Sequence, residues 1–217
     1  MAMSINVQSF YQYGVQPVPQ GRTRFRQGVS TFLETNRTGD RVDIDYKDTP
    51  GLEMRVTKSG ETVKVDRVGI DTDVTFRKSG QNIQVDRYGH YADLNVLRDE
   101  NSIRLDRPGF DSDVSANFSE SAIEIRNPDS HPTTTLRRQG EDVQVYQHGF
   151  LVESFPVSVF PGGWPAQPSL LAISDYIGMP AQTADALDRW SAGGVDIDDL
   201  VRVDKYAQVT TYDDYFV

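Results

Sequence analysis

Six aspartates, Asp66, Asp73, Asp86, Asp93, Asp106 and Asp113, recur through the middle of the chain, and a repeated Gly-x-Asp-x-Asp motif adds Asp71 and Asp111. Carboxylates repeated in this way are the residue type calcium takes, because it accepts several oxygen ligands in flexible geometry and tolerates shared carboxylates. These eight aspartates are therefore candidate calcium ligands, with Asp71 beside Asp73 and Asp111 beside Asp113 as the sharpest local pairs. Aspartate beside a glycine turn also has a structural use, since it accepts hydrogen bonds from turn amides. A second group is aromatic. Tyr88, His90, Tyr91, Phe110, His148 and Phe150 gather around glycine turns and could form a rim that binds a protein or stacks on a carbohydrate, or could close one end of the fold. The three histidines, His90, His131 and His148, stand at different offsets with no metal-ligand spacing, and no phosphate loop or nucleophile elbow is present. With 32 acidic residues, carboxylate pairs for hydrolysis could be drawn at will, so no catalytic residue is assigned and the chain reads as non-enzymatic.

The elements that must position these residues are visible in a twenty-residue block that repeats five times between Met54 and Glu153 without insertion. Its columns are Met54, Val74, Leu94, Val114, Thr134; Val56, Phe76, Val96, Ala116, Leu136; Val63, Ile83, Ile103, Ile123, Val143; and Val65, Val85, Leu105, Ile125, Val145. Each block holds two apolar pairs at i, i+2, which is the strand period and cannot form one helical face. Ser59-Gly60 and Ser79-Gly80 lie midway between the pairs of a block. Gly69-Ile70, Gly89-His90, Gly109-Phe110 and Gly149-Phe150 lie midway between blocks. Glycine there supplies the positive φ that two-residue hairpin loops demand. A β-solenoid would also keep a constant block length, but it does not require glycine turns at the symmetry centres of the apolar pattern. The expected fold is all-β: an antiparallel meander of five two-strand repeats, extended at the front by Thr31 to Thr35 and Arg41 to Tyr46.

That register makes a specific claim about the polar face. With Ser79-Gly80 as a loop, Phe76 faces Ile83 and Val74 faces Val85; with Gly89-His90 as another, Val85 faces Leu94 and Ile83 faces Val96. Asp66 then opposes Asp73, and the opposition continues through Asp86, Asp93, Asp106 and Asp113. Strands lie about 4.8 Å apart and like charges directly opposite destabilise a sheet, so something must neutralise the row. The fourth block ends the column, with Arg126 where aspartate is expected and Asn127-Pro128-Asp129-Ser130 in place of the glycine turn.

Three regions follow: a loose Gln- and Pro-rich arm over 1–22, the repeat domain over 23–155, and a C-terminal segment over 156–217. After the turn-rich Phe160-Pro-Gly-Gly-Trp-Pro165, the residues Leu170, Ile173 and Ile177 make one helical stripe stopped by Gly178. A second helix, capped by Thr183 and ended by Gly193, would bury Leu187 and Trp190. A sheet with two inward apolar residues per strand must cover that face, and curling into a barrel-like form with the C-terminal segment as cap or plug is the expected solution. An uncovered face would instead force a homodimer, whereas closure allows a monomer. The net charge of −10 argues against nucleic-acid binding, the absence of cysteine excludes disulfides and thiolate chemistry, and no membrane span is present.

The blocks, as in Val74-Thr-Phe-Arg-Lys-Ser-Gly-Gln-Asn-Ile-Gln-Val-Asp-Arg-Tyr-Gly89, resemble in length and in their Asp-x-x-Gly turn the YD-type hairpin repeats of Rhs shell proteins, although the Tyr-Asp pair of that family is missing. The terminal Asp213-Asp214-Tyr215-Phe216-Val217 resembles the acidic-then-hydrophobic tail of leaderless type I secretion substrates. That resemblance implies export without a cleavable signal peptide, with a cytoplasmic location as the alternative. The expected function is a secreted bacterial β-repeat module acting at a surface, in a matrix or on a host, with calcium as a candidate cofactor. The alternatives are an effector or enzyme with its activity in the C-terminal segment, and an acidic inhibitor or immunity protein that binds a protein partner.

Overall fold

The computed structural model describes residues 3–6, 16–27, 30–47, 53–67, 73–87, 93–106, 113–128, 131–160, 162–203 and 209–211. Every apolar pair of the repeat lies on a short strand: β6 (Glu53–Ser59), β7 (Thr62–Arg67), β8 (Val74–Ser79), β9 (Asn82–Arg87), β10 (Leu94–Asp99), β11 (Ser102–Asp106), β12 (Val114–Phe118), β13 (Ala122–Asn127), β14 (His131–Gln139) and β15 (Asp142–Gln147). Ahead of them come β1 (Met3–Asn6), β2 (Gln16–Pro17), β3 (Gly21–Gln27), β4 (Ser30–Thr38) and β5 (Arg41–Tyr46), and β16 (Phe150–Pro156) follows. The stretch read as an arm thus contributes β1, β2 and the first residues of β3. Burial alternates with a period of two along each repeat strand: Val63, Val65, Phe76, Ile83, Ile103, Leu105, Ile123, Ile125 and Val145 are at most 2% exposed, and their neighbours face outward.

The tight turns sit one residue later than expected. Ser59 pairs with Thr62 and Asp99 with Ser102, so the loops are Gly60-Glu61 and Glu100-Asn101. Gly60 occupies the left-handed region at φ 58°, where glycine carries no steric cost. Moving a two-residue loop by one position shifts the strand partner by two, so inside stays inside. Val56 accordingly faces Val65, and Val96 faces Leu105. Between blocks the observed pairs follow the expected pattern, with Val63 facing Phe76, Val65 facing Val74, Ile103 facing Ala116 and Ile123 facing Leu136.

The barrel-like closure expected from the sequence does not form. The hydrogen-bonded order runs β1-β3-β4-β5-β6-β7-β8-β9-β10-β11-β12-β13-β14-β15-β16, an open line in which the first and last strands are not neighbours. From β3 to β16 the described pairings are antiparallel, and β1 joins β3 in parallel. Closure is unnecessary because the apolar face is covered from within each of the chain's two compact units. One unit comprises Met1–Lys78, Val85–Tyr88 and Gly194–Val217; the other comprises Ser79–Gln84 and Gly89–Gly193.

In the first unit the cover is Val18, Val195 and the short helix α3 (Ile197–Leu200), which lies against β6 and leads into β17 (Val201–Val203). There β17 pairs with β18 (Val209–Thr211) on one side and β2 on the other. In the second unit a 3-10 turn, Leu171–Ile173, runs into α1 (Ser174–Ile177), and α2 spans Ala181–Gly193. Leu170, Ile173 and Ile177 are buried, and Gly178 ends α1 at φ 68°, as the sequence pattern predicts. Leu187 and Trp190 are fully buried as well, but α2 starts at Ala181, so Thr183 lies inside the first turn instead of capping it.

An arginine on the apolar face ties down the cover in each unit. In the second, Arg98 donates to Pro168 O at 3.0 Å and to the Asp188 carboxylate. Asp188 also accepts from Ser169 Oγ at 2.8 Å and from the Leu170 and Leu171 amides at 3.0 and 3.1 Å. In the first unit, Arg37 donates to Val18 O at 2.9 Å and to the Asp198 carboxylate. The two differ in degree: the Arg98 side chain is 6% exposed opposite an Asp188 that is 22% exposed, whereas Arg37 is 12% exposed opposite an Asp198 that is 36% exposed. Removing one partner of a buried pair strands the other charge, which costs about 3–5 kcal/mol, against about 0–1 kcal/mol for an exposed pair. Urea unfolding is therefore expected to show Arg98→Met losing about 3 kcal/mol and Arg37→Met, whose partner Asp198 stays partly solvated, losing less. Equal losses would mean that burial does not distinguish the two clamps.

Candidate functional site

The polar face of the first unit carries the densest set of paired charges, and strand register puts them there. Arg22 lies opposite Asn36, Asn36 opposite Asp43, Asp43 opposite Arg55 and Arg55 opposite Asp66, giving one row across β3 to β7. In the adjacent row Arg24 faces Glu34 and Glu34 faces Asp45. Arg41 Nε donates to Asp43 Oδ2 at 2.9 Å, and Arg55 Nε donates to Asp43 Oδ1 at 2.7 Å. Glu34 is held by Arg22 Nε at 2.6 Å and Arg24 Nε at 2.8 Å. Between these side chains lies a cleft of about 290 Å³ lined by Glu34, Asn36, Arg41, Asp43, Arg55 and Asp66, among others.

Both central carboxylates titrate low. Burial pushes Glu34 upward, but the hydrogen bonds and positive charge of Arg24 and Arg22 outweigh it. Asp43 behaves in the same way, with burial opposed by Arg41 and Arg55. The sequence signal for this surface was the i, i+2 spacing of charge, Arg22-x-Arg24 on β3 and Arg41-x-Asp43-x-Asp45 on β5.

The aspartate row is partly assembled and differently compensated. Within its block Asp66 lies opposite Arg55, and Asp106 lies opposite Asn95 rather than the expected Asp93, while Val65 facing Val74 keeps the between-block register expected for Asp66 and Asp73. Lys64 Nζ reaches Asp73 Oδ2 at 2.8 Å and Asp66 Oδ2 at 3.7 Å. Arg77 Nη1 meets Asp86 Oδ2 at 3.4 Å, and Arg104 Nε donates to Asp113 Oδ2 at 2.9 Å. Asn95 Nδ2 donates to Asp106 Oδ2 at 3.4 Å. The hydrogen bond to Asp73 raises the Lys64 pKa, which keeps that bridge charged. Among the described residues no group of three or more histidines and carboxylates converges as a metal ion would need. Asp93 is part-exposed beside β10, while Asp71 and Asp111 lie outside the described residues.

Of the aromatic rim, Tyr88, His90, Tyr91 and Phe110 also lie outside the described residues. His148 and Phe150 flank the β15–β16 turn; His148 has φ 52°, and Phe150 is 74% exposed. The tail Asp213 to Val217 is outside the described residues as well. Among the described residues no helix is long and apolar enough to cross a membrane.

Fold and surface together define a β-repeat protein, mostly sheet, with a small helical segment. No protein-family model, no curated protein and no solved structure matches the chain.

Two outcomes follow from these charges. Glu34 and Asp43 have depressed folded-state values, so their contribution to stability is present above the ordinary carboxylate range and is lost as pH falls through the folded values. Unfolding midpoints are expected to fall below about pH 4, and Glu34→Gln should flatten that fall; an unchanged profile in the variant would remove Glu34 from the account. Because Lys64, Arg77 and Arg104 already supply counter-charge, calcium and chelator are expected to give the same melting temperature. A reproducible rise in calcium would show instead that the aspartates hold the ion.

Proposed function

We propose that the chain is a non-catalytic binding module that presents the charged face of β3 to β7 to a protein partner. The observation that carries this reading is the cleft whose rim arginines, Arg41 and Arg55, share one carboxylate, Asp43. Both guanidinium side chains are about half exposed, at 48% and 51%. Exposed pairs of this kind are worth about 0–1 kcal/mol each, so exchanging Asp43 for a partner's carboxylate costs little. The short strands keep the rows in fixed register, and that fixed spacing lets the surface choose a complementary charge pattern and steer encounter with it.

Secretion remains part of this reading, supported by the acidic-then-apolar Asp213-Asp214-Tyr215-Phe216-Val217 and the cysteine-free composition. The two parts are tested separately. Deleting Asp214 to Val217 is expected to abolish export; secretion at the wild-type level would end the localisation argument. For the binding surface, cross-linked partners are compared between the intact chain, the double reversal Arg41→Glu with Arg55→Glu, and the control reversal Arg126→Glu with Arg137→Glu. Retention is expected to fall about tenfold in the first variant, equivalent to about 1.4 kcal/mol, and to stay level in the control. A partner held equally by all three proteins would place recognition elsewhere.

A further inference from the structure

A second cavity, of about 280 Å³, lies within the other unit and is lined by Phe160, Gly162, Gly163, Trp164, Gln167 and Leu171, among others. No charged residue lines it, although a quarter of the chain is charged. Trp164 is rigidly set. Its ring and that of Phe160 form a perpendicular pair, 5.7 Å between centroids at 89°, and Phe160 in turn stands against Phe155 at 5.8 Å and 64°. The indole Nε1 donates to Ser119 O at 3.3 Å, so the group Trp164 has left to offer a ligand is its ring face. Gly162 and Gly163 adopt φ of 82° and 90°, and a Cβ added at either would meet nothing within 4 Å, which leaves the space beside them open.

We propose that this cavity binds a single neutral sugar ring. The axial C–H groups on one face of a pyranose form an apolar surface that stacks on an indole, while its hydroxyls need amide and backbone partners. The cavity supplies both: the Trp164 face, the exposed Gln167 amide and the side-chain-free backbone of Gly162-Gly163. An uncharged lining excludes preference for phosphorylated or acidic sugars. A proline-rich peptide fits less well, because grooves that take the polyproline helix present several exposed aromatic rings in a row, and Phe160 is only 6% exposed. The volume is at the low end of small-molecule sites, which run from about 300 to 1,000 Å³, and suits one ring rather than a chain.

This site shares no residue with the charged face, so the two readings stand or fall separately. The test uses the full chain with the methyl glycosides of glucose, galactose, mannose and N-acetylglucosamine, and a proline-rich decapeptide for comparison. Saturation-transfer NMR is expected to show contact with the ring C–H protons of at least one glycoside. That glycoside should also protect Trp164 from acrylamide quenching, with the fully buried Trp190 as the unquenched background. Trp164→Ala is expected to weaken the contact about tenfold, and Trp164→Phe to restore part of it. No transfer to any glycoside, equal transfer in Trp164→Ala, or protection by the peptide alone would each overturn the assignment. Should Trp164→Ala fail to fold, acrylamide protection in the unaltered chain decides.

Discussion

Every repeat strand is short and one-sided, with apolar residues on one face and charge on the other, and the rest of the structure answers that asymmetry. A side chain such as Val65 or Ile123, withdrawn from water, contributes about 1.5–3 kcal/mol, but only if something lies over it. Closing the sheet on itself would provide that cover at the cost of a fixed tilt and stagger for every strand. This chain covers each unit with its own C-terminal residues, which leaves the strand order open and the repeat free of closure geometry. The cover is itself apolar, with Trp190 and Leu187 in one unit and Ile197 and Leu200 in the other. Its position is set by two arginines, Arg98 and Arg37, each at the turn end of a strand on the face that carries the apolar columns.

The outer face solves a different problem with different chemistry. Like charges on adjacent strands repel, and an ion is one remedy; another is to interleave cations, which is what Lys64, Arg77 and Arg104 do. The remedy weakens toward the C-terminal blocks, where the equivalents of Lys64 become Glu124 and Gln144 and the equivalent of Asp106 becomes Arg126. The densest pairing therefore stands at the front of the sheet, where β3, β4 and β5 add Arg22, Arg24 and Arg41. Solvent exposure makes each of these bridges individually weak, and that weakness is what allows a partner's charge to replace one of them.

Much of the fold was legible because apolar spacing at i, i+2 has one local interpretation. The strand identities and the inward columns follow from it, and the burial of Leu170, Ile173, Leu187 and Trp190 follows from helical spacing in the same way. Closure was not legible, because a one-sided sheet is satisfied equally by a barrel and by a cover, and the choice rests on contacts between residues far apart, such as Arg98 and Asp188. Nor did the sequence pattern reveal Arg98 as a clamp: its column also holds Lys58, Lys78 and Arg138, and it reads as a row of solvated turn residues. The charged cleft escaped for a related reason. Arg41-x-Asp43 resembles any exposed strand until strand pairing sets Arg55 beside it.

The one-residue displacement of the turns changes the neighbours on the outer face while leaving the inward columns where the apolar pattern puts them. Side-chain direction has a period of two, so a partner shift of two leaves every apolar residue inside and is invisible to any argument from burial. The same shift exchanges the residue directly opposite on the outer face, and there identity matters. Asp106 opposite Asn95 accepts an amide hydrogen bond, whereas opposite Asp93 it would face a like charge. Gly60 takes the first loop position at φ 58° and leaves Ser59 in the strand, and Glu100-Asn101 keeps the same displaced loop without a glycine. Which of two neighbouring residues begins a turn thus decides which side chain faces Asp106 across the strand pair.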